Sequence, residues 1–177
     1  MNQVENHFAQ LGLEHESALA EYVAEFEVEG ESRIHGYFGK PEWSHAETVE
    51  NLMAWSRGER LSGFVPSSTR FLVVNQRIVG NYNFRHLLSP ELERCGGHCG
   101  YSVRPSERRK GYGTLLLKDA KRFARGLGLD RILLTCSSEN IGSSRVIERN
   151  GGRLHDQVHD QTSDATVNRY WIELSVG

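Results

Sequence analysis

Apolar residues recur along this chain first at helical spacing and then at strand spacing. Between residues 17 and 28, Leu19, Tyr22, Val23 and Phe26 fall at i, i+3, i+4 and i+7, one face of a helix, with Glu21, Glu25 and Glu27 around the rest. Gly30 supplies a stop. A second helix is predicted from Ser44, because Ser44 and Glu47 have capping-box spacing and Val49, Leu52 and Met53 follow on one side. The rhythm then shortens. A turn-like stretch, 63–70, holds Pro66 and three hydroxyl residues; after it, 71–74 and 78–84 read as two strands joined by Asn75, Gln76 and Arg77.

Residues 87–97, with Pro90 and two glycines, read as a loop, and 98–103 as a strand ending before Pro105. The next helix has Leu116, Ala120, Phe123 and Leu127 on one face and Lys118, Lys121, Arg122 and Arg125 on the other, and Gly126 and Gly128 lie where it should end. The apolar run 131–136 is a buried strand, and 140–150 is a short helix between Asn140 and Gly151. Two last strands, 152–159 and 167–174, flank a polar turn. Residues 1–16 are an arm or a poor first strand. The class is α/β in the broad sense, or α+β, with a mixed, mostly antiparallel sheet. The central strand-helix-strand crossover predicts a parallel pair between the strands ending at Val103 and beginning near Ile132.

Composition narrows the partners. At 177 residues with 25% charged residues and a net charge of -2, the chain is one ordinary globular domain and lacks the basic excess of a general nucleic-acid binder. Three cysteines do not make a disulfide scaffold, and no leader-like or membrane-spanning apolar run is present, so a cytoplasmic protein without a membrane partner is expected. Cys95, His98 and Cys99 are close enough for a metal knuckle, but no second pair completes four ligands, and no metal is expected. The glutamates between 14 and 31 form either a solvated helix face or a rim that attracts cationic substrates.

The chemistry concentrates where the strand at 98–103 passes into the following helix. Val103 and Pro105 are followed by Arg108, Arg109, Lys110, Gly111, Tyr112, Gly113 and Thr114, three cations and two spaced glycines at a helix start. Glycines admit close backbone approach, and the first-turn N–H groups and the helix dipole favour an anion, so this junction is predicted to grip phosphate. Neither the P-loop pattern nor G-x-G-x-x-G is present.

The run V-x-P-x-x-R-R-K-G-Y-G-T-x-L-L resembles the acetyl-coenzyme A signature of the GCN5-related N-acetyltransferase (GNAT) superfamily, [QR]-x-x-G-x-[GA]. The block from Asn140 through Ser143 to Gly151 and Gly152 is similar to the family's second motif, and the element order from Phe71 to Leu174 agrees. The resemblance implies a single domain, 1–177, with a helical substrate-side region over about 1–62 and a sheet and acetyl-CoA-binding core over about 63–177. It implies that backbone amides from 109 to 114 wrap the pyrophosphate, with Arg108, Arg109 and Lys110 adding charge. The strand before the motif would carry a bulge and splay from its parallel neighbour. Pantetheine would lie in that split against Tyr101, Ser102 and Val103, with Asn140 bonding it and small Ser143 letting it pass.

The activity so implied is transfer of acetyl from acetyl-CoA to a primary amine of a small molecule or peptide, the chain acting alone or as a homodimer. The sequence departs from the family at two places. Ile147 stands where many members place a tyrosine acid, leaving Tyr101, Tyr112 or water for that role, or a thiolate that departs unassisted. The strand before the motif has no Glu for a base and offers His98 instead, with Glu139 and His86 as weaker candidates. Loss of both groups also admits a module that binds acetyl-CoA without turnover. The acidic first helix favours a cationic amine as acceptor.

Overall fold

A computed structural model describes residues 6–31 and 33–174. In chain order its strands and helices are β1 (Asn6–Ala9), α1 (Glu16–Val28), α2 (His45–Ser56), β2 (Ser67–Val74), β3 (Arg77–Arg85), α3 (Pro90–Arg94), β4 (Cys99–Val103), α4 (Tyr112–Gly126), β5 (Arg131–Ser137), α5 (Ile141–Arg149), β6 (Arg153–Asp160) and β7 (Ala165–Glu173). They form two antiparallel sheets, β1-β2-β3-β4 and β5-β7-β6.

The β2-β3 hairpin is the floor of the molecule, and nearly every residue in it is buried. Such strands read as continuous apolar runs because both faces are covered. Phe71, Val73 and Ile78 face a cluster with Leu19, Tyr22 and Phe26 of α1 and Val49 and Leu52 of α2. Leu72, Val79, Tyr82 and Phe84 face the opposite cluster, with Leu116, Leu117 and Ala120 of α4 and Ile132 and Leu134 of β5.

Several local expectations change. β2 begins at Ser67, four residues before the apolar run, because Ser67 and Thr69 accept hydrogen bonds from the Asn83 side chain across the ladder and so are satisfied when buried. The hairpin turn is two residues, Asn75 and Gln76, both with positive φ. That is the conformation that matches strand twist. Ser89 caps a one-turn helix, α3, inside the expected loop. Leu127 caps α4 and is largely exposed, while Leu117 and Ala124 complete the buried face.

The expected parallel pair forms no ladder among the described residues, and the expected bulge is absent from β4, whose pairing with β3 runs without a shift from Gly80–Val103 to Phe84–Cys99. The strands part at Gly97 and His98. The His98 N–H donates to the Leu133 carbonyl at 2.8 Å, and the Leu133 N–H donates to His98 Nδ1 at 2.9 Å. Gly97, at φ +61°, lies so close to the Leu133 carbonyl that any Cβ would collide with it. The imidazole thus takes the amide that another strand residue would have paired, and no further backbone hydrogen bond joins β4 to β5 among the described residues.

Candidate active site

Beyond that wedge the two sheets open into a groove of about 910 Å³, bounded by β4, the start of α4, α5 and the loop after α1. The end of the groove at α4 follows from backbone geometry. Arg109 (φ +64°) and Gly111 (φ +89°) occupy the left-handed region on either side of Lys110. Such an alternation turns successive N–H groups toward one concavity. α4 begins there with no side-chain cap, and its first backbone bond is from the Leu115 N–H to the Gly111 carbonyl. The N–H groups of Tyr112, Gly113 and Thr114 are therefore left as donors for something outside the helix. By contrast, α2 is capped by Ser44 and α5 by Asn140. Gly113 lets α5 approach, since a Cβ there would stand 3.2 Å from Val146 Cγ2.

Of the residues expected at the cofactor, Tyr101, Ser102, Val103, Arg108, Arg109, Gly111, Tyr112, Gly113, Thr114, Asn140 and Ser143 all line the groove. Lys110 does not; its Nζ pairs with Glu107 at 2.8 Å. Arg108 is there, but both its Nη atoms meet the Glu31 carboxylate, at 2.6 and 2.8 Å, and its Nε donates to the Val103 carbonyl. Arg109, which has no ion pair among the described residues, is the loop cation left for a ligand. Arg145 and Arg149, one turn apart on α5, add to it. Sequence reasoning passed over this pair, although an i, i+4 pair of arginines after Asn140 is a legible signal.

Tyr101 crosses the split, its hydroxyl 2.9 Å from Ser143 Oγ on α5. Burial pushes its phenol pKa up, with the Ser143 contact working the other way, so it keeps its proton near neutrality. Asn140, which lines the groove, accepts the Ser143 N–H on Oδ1 at 2.9 Å, and its amide nitrogen has no hydrogen-bond partner among the described residues. Ile147, where a tyrosine acid was sought, is fully buried.

The structure places the expected base candidates away from the groove. His98 is buried, stacked on Phe84 and bonded to Leu133, and it does not line the groove. Burial, helped by the nearby Arg85 charge, brings its pKa down to about 4. His86 contacts Ser68 Oγ at 2.8 Å and, like Glu139, lies outside the groove. The histidine that does line it is His35, in the loop after α1, a segment without recognisable pattern in the sequence. His35 is exposed, and the partial desolvation it undergoes in the loop, with the Arg33 charge beside it, lowers its pKa against the opposing Glu31 carboxylate, so the imidazole is mostly neutral at pH 7.

The acidic rim is reassigned in part. Glu25 is bonded to Arg104 Nε, Arg77 Nη2 and the Ser106 N–H, and Glu31 to Arg108, so these two carboxylates hold the motif loop to α1, while Glu21, Glu27 and Glu29 stay exposed with no ion pair among the described residues. Among the described residues no three His, Cys, Asp or Glu side chains gather as a metal site. Among them, too, no helix is long and apolar enough to cross a membrane.

A split sheet with an uncapped helix start at its mouth defines an acyltransferase of the kind that holds a phosphate-bearing carrier. Residues 10–153 match the family model for the acetyltransferase (GNAT) domain, and the chain belongs to that family. No curated protein sequence matches it. Among solved structures it is similar to an N-acetyltransferase from Staphylococcus aureus Mu50 (13% identity, TM-score 0.66, 97% of this chain and 99% of that one). It is also similar to yncA from Salmonella typhimurium, solved with its cofactor acetyl-CoA (17%, 0.62, 97% and 95%). A third is the Salmonella typhimurium acetyl transferase that modifies the N-terminal serine of 50S ribosomal subunit protein L7/L12 (17%, 0.68, 95% and 94%). At these identities the likeness is one of fold.

Proposed function

We propose that this protein transfers an acetyl group from acetyl-CoA to the primary amine of a small molecule or peptide. The observation that carries the reading is the uncapped start of α4, with Arg109 and Gly111 in left-handed conformation, opening onto the split between β4 and β5. The groove fits the co-substrate in charge as well as shape, since five arginines (33, 108, 109, 145 and 149) and one carboxylate, Glu31, line it. The N–H groups of 112 to 114 and Arg109 would hold the pyrophosphate. Arg145 and Arg149 lie along α5 for further phosphate. The edge of β4 at Tyr101 to Val103, unpaired with β5, would receive the pantetheine as an added strand.

The thioester supplies an activated acyl carbon, and the protein's share is position and proton management. Neutral His35 accepts the proton that the attacking amine loses, directly or through a water, as the N–C bond forms and the C–S bond breaks. Tyr101, with its raised pKa, is a weaker acid than the departing thiol. It therefore steadies the sulfur by a hydrogen bond, and the proton collected from the amine completes the thiol.

The test is transfer from radiolabelled acetyl-CoA to a panel of amines, with His35→Ala and Tyr101→Phe beside the parent. His35→Ala should lower kcat roughly 100-fold with little change in the KM for acetyl-CoA. In the parent, the rate should rise with pH through a pKa below the ordinary histidine value and then level. Binding of acetyl-CoA without transfer to any amine would replace the enzyme reading with a binding module.

A further inference from the structure

A second cavity, of about 470 Å³, lies on the α2 side of β3. Phe38, Trp55 and Phe64 make it mainly apolar, and it reaches Asn83 and Arg85 on the outer half of β3. Arg33 lines both this cavity and the groove, so the loop after α1 is the partition between them. That loop is pressed onto the sheet at Gly36 (φ +78°), where a Cβ would strike the Gly100 carbonyl of β4 and the Asn83 amide.

The charges of the cavity do not cancel internally. Arg85 gives one Nη to the carbonyls of Gly96 and Gly97, at 3.1 and 3.0 Å, and neither it nor Arg33 has a carboxylate partner among the described residues. Burial and the nearby Arg33 charge both disfavour the Arg85 cation, so the pair is a site short of an anion. Glu91, the one lining carboxylate, is stabilised where it stands by its own N–H and the Ser89 hydroxyl at the start of α3. A polar orphan adds to this. The Asn83 amide nitrogen donates to Ser67 Oγ and Thr69 Oγ1, while its buried Oδ1 has no partner.

Building on the acetyltransferase reading, we propose that this cavity holds the acceptor and that the acceptor is a small amino acid, with an aromatic or branched apolar side chain and a free α-carboxylate. Arg33 and Arg85 take the carboxylate. Because Arg33 stands at the junction of cavity and groove, an amine one carbon from that carboxylate is kept at the entrance to the split. The side chain goes toward Phe38, Trp55 and Phe64. A polyamine or other polycation would face the two guanidiniums and is disfavoured, the reverse of what the acidic first helix led one to expect.

The experiment compares phenylalanine and leucine with phenylalaninamide, phenethylamine, spermidine and a peptide that has an apolar N-terminal residue, in both acetyl transfer and equilibrium binding. Phenylalanine should exceed phenylalaninamide and phenethylamine in kcat/KM by about thirtyfold or more. Exposed Arg33→Gln, checked for an unchanged unfolding midpoint, should shrink that ratio several-fold by raising the KM for phenylalanine far more than that for phenethylamine, any change in kcat being common to both. Calorimetry with N-acetylphenylalanine against its amide gives the same comparison without turnover. Carboxylate-dependent binding with no transfer would sustain the site and defeat the catalytic reading. Equal use of acids and amides, or a preference for spermidine or the peptide, overturns the proposal.

Discussion

His98 shows how one side chain can be decisive without doing chemistry. Its Nδ1 accepts from Leu133 while its own backbone N–H donates to the same residue, so it closes the end of the split from which the groove opens. Replacing it with alanine leaves the Leu133 N–H buried and unpaired. The cost should be about 1–3 kcal/mol in denaturant unfolding. Protonation is coupled to the same contact. The folded pKa, about 4, lies below the ordinary 6.5, so the unfolded chain binds more protons between those values. The stabilising contribution is whole above pH 6.5 and is lost as pH falls toward 4, on the order of 3 kcal/mol. Unfolding midpoints of parent and His98→Gln across that window check this; identical pH slopes would remove His98 as the cause.

At the scale of elements, the contact between α1 and the loop ahead of α4 matters most for the groove. Arg104, almost fully buried, reaches the Glu25 carboxylate and the carbonyls of Ile78 and Glu21, while Arg77 joins Glu25 to Glu107. Burial alone would raise the Glu25 pKa, but the Ser106 N–H and the Arg104 guanidinium hold it down at about 2. A lowered carboxylate pKa gives stability that is present above about 4.5 and lost as pH drops toward 2. Glu25→Gln keeps the size and removes the charge, leaving Arg104 buried without its counterion. It should destabilise the fold by roughly 3 kcal/mol and weaken acetyl-CoA binding, read by thermal unfolding and calorimetry. Unchanged affinity in a folded variant would mean that the loop holds its shape without α1.

For the whole molecule, the two sheets share their core near β4 and β5 but leave a groove between them, and a ligand bound there ties them together. With acetyl-CoA at about 100 times its Kd, stabilisation should be about 2.7 kcal/mol, a rise of roughly 5–10 °C in Tm for a domain of this size. Gly111→Val has free space around it but demands φ +89° of a branched residue, so it should abolish the shift while the protein remains folded. A full shift in that variant would exclude the loop from binding.

Much was legible in order. Helical spacing placed Leu19, Tyr22 and Phe26 on one face, capping chemistry placed Ser44 and Asn140, and the spaced glycines placed the left-handed turn that opens α4, because these are local preferences of a chain with itself. Strand limits set by cross-strand partners, such as Ser67 with Asn83, were not legible. Nor was the fate of each charge. Arg108 and Lys110 look as free in sequence as Arg109, yet only Arg109 escapes a carboxylate. The sequence by itself determined the family, most of the elements and the glycine-bearing loop that opens α4. The tertiary structure alone decided that His98 is a wedge, that His35 faces the groove and that Arg33 and Arg85 meet at one cavity. Those outcomes depend on contacts between residues far apart in the chain, and local pattern does not encode them.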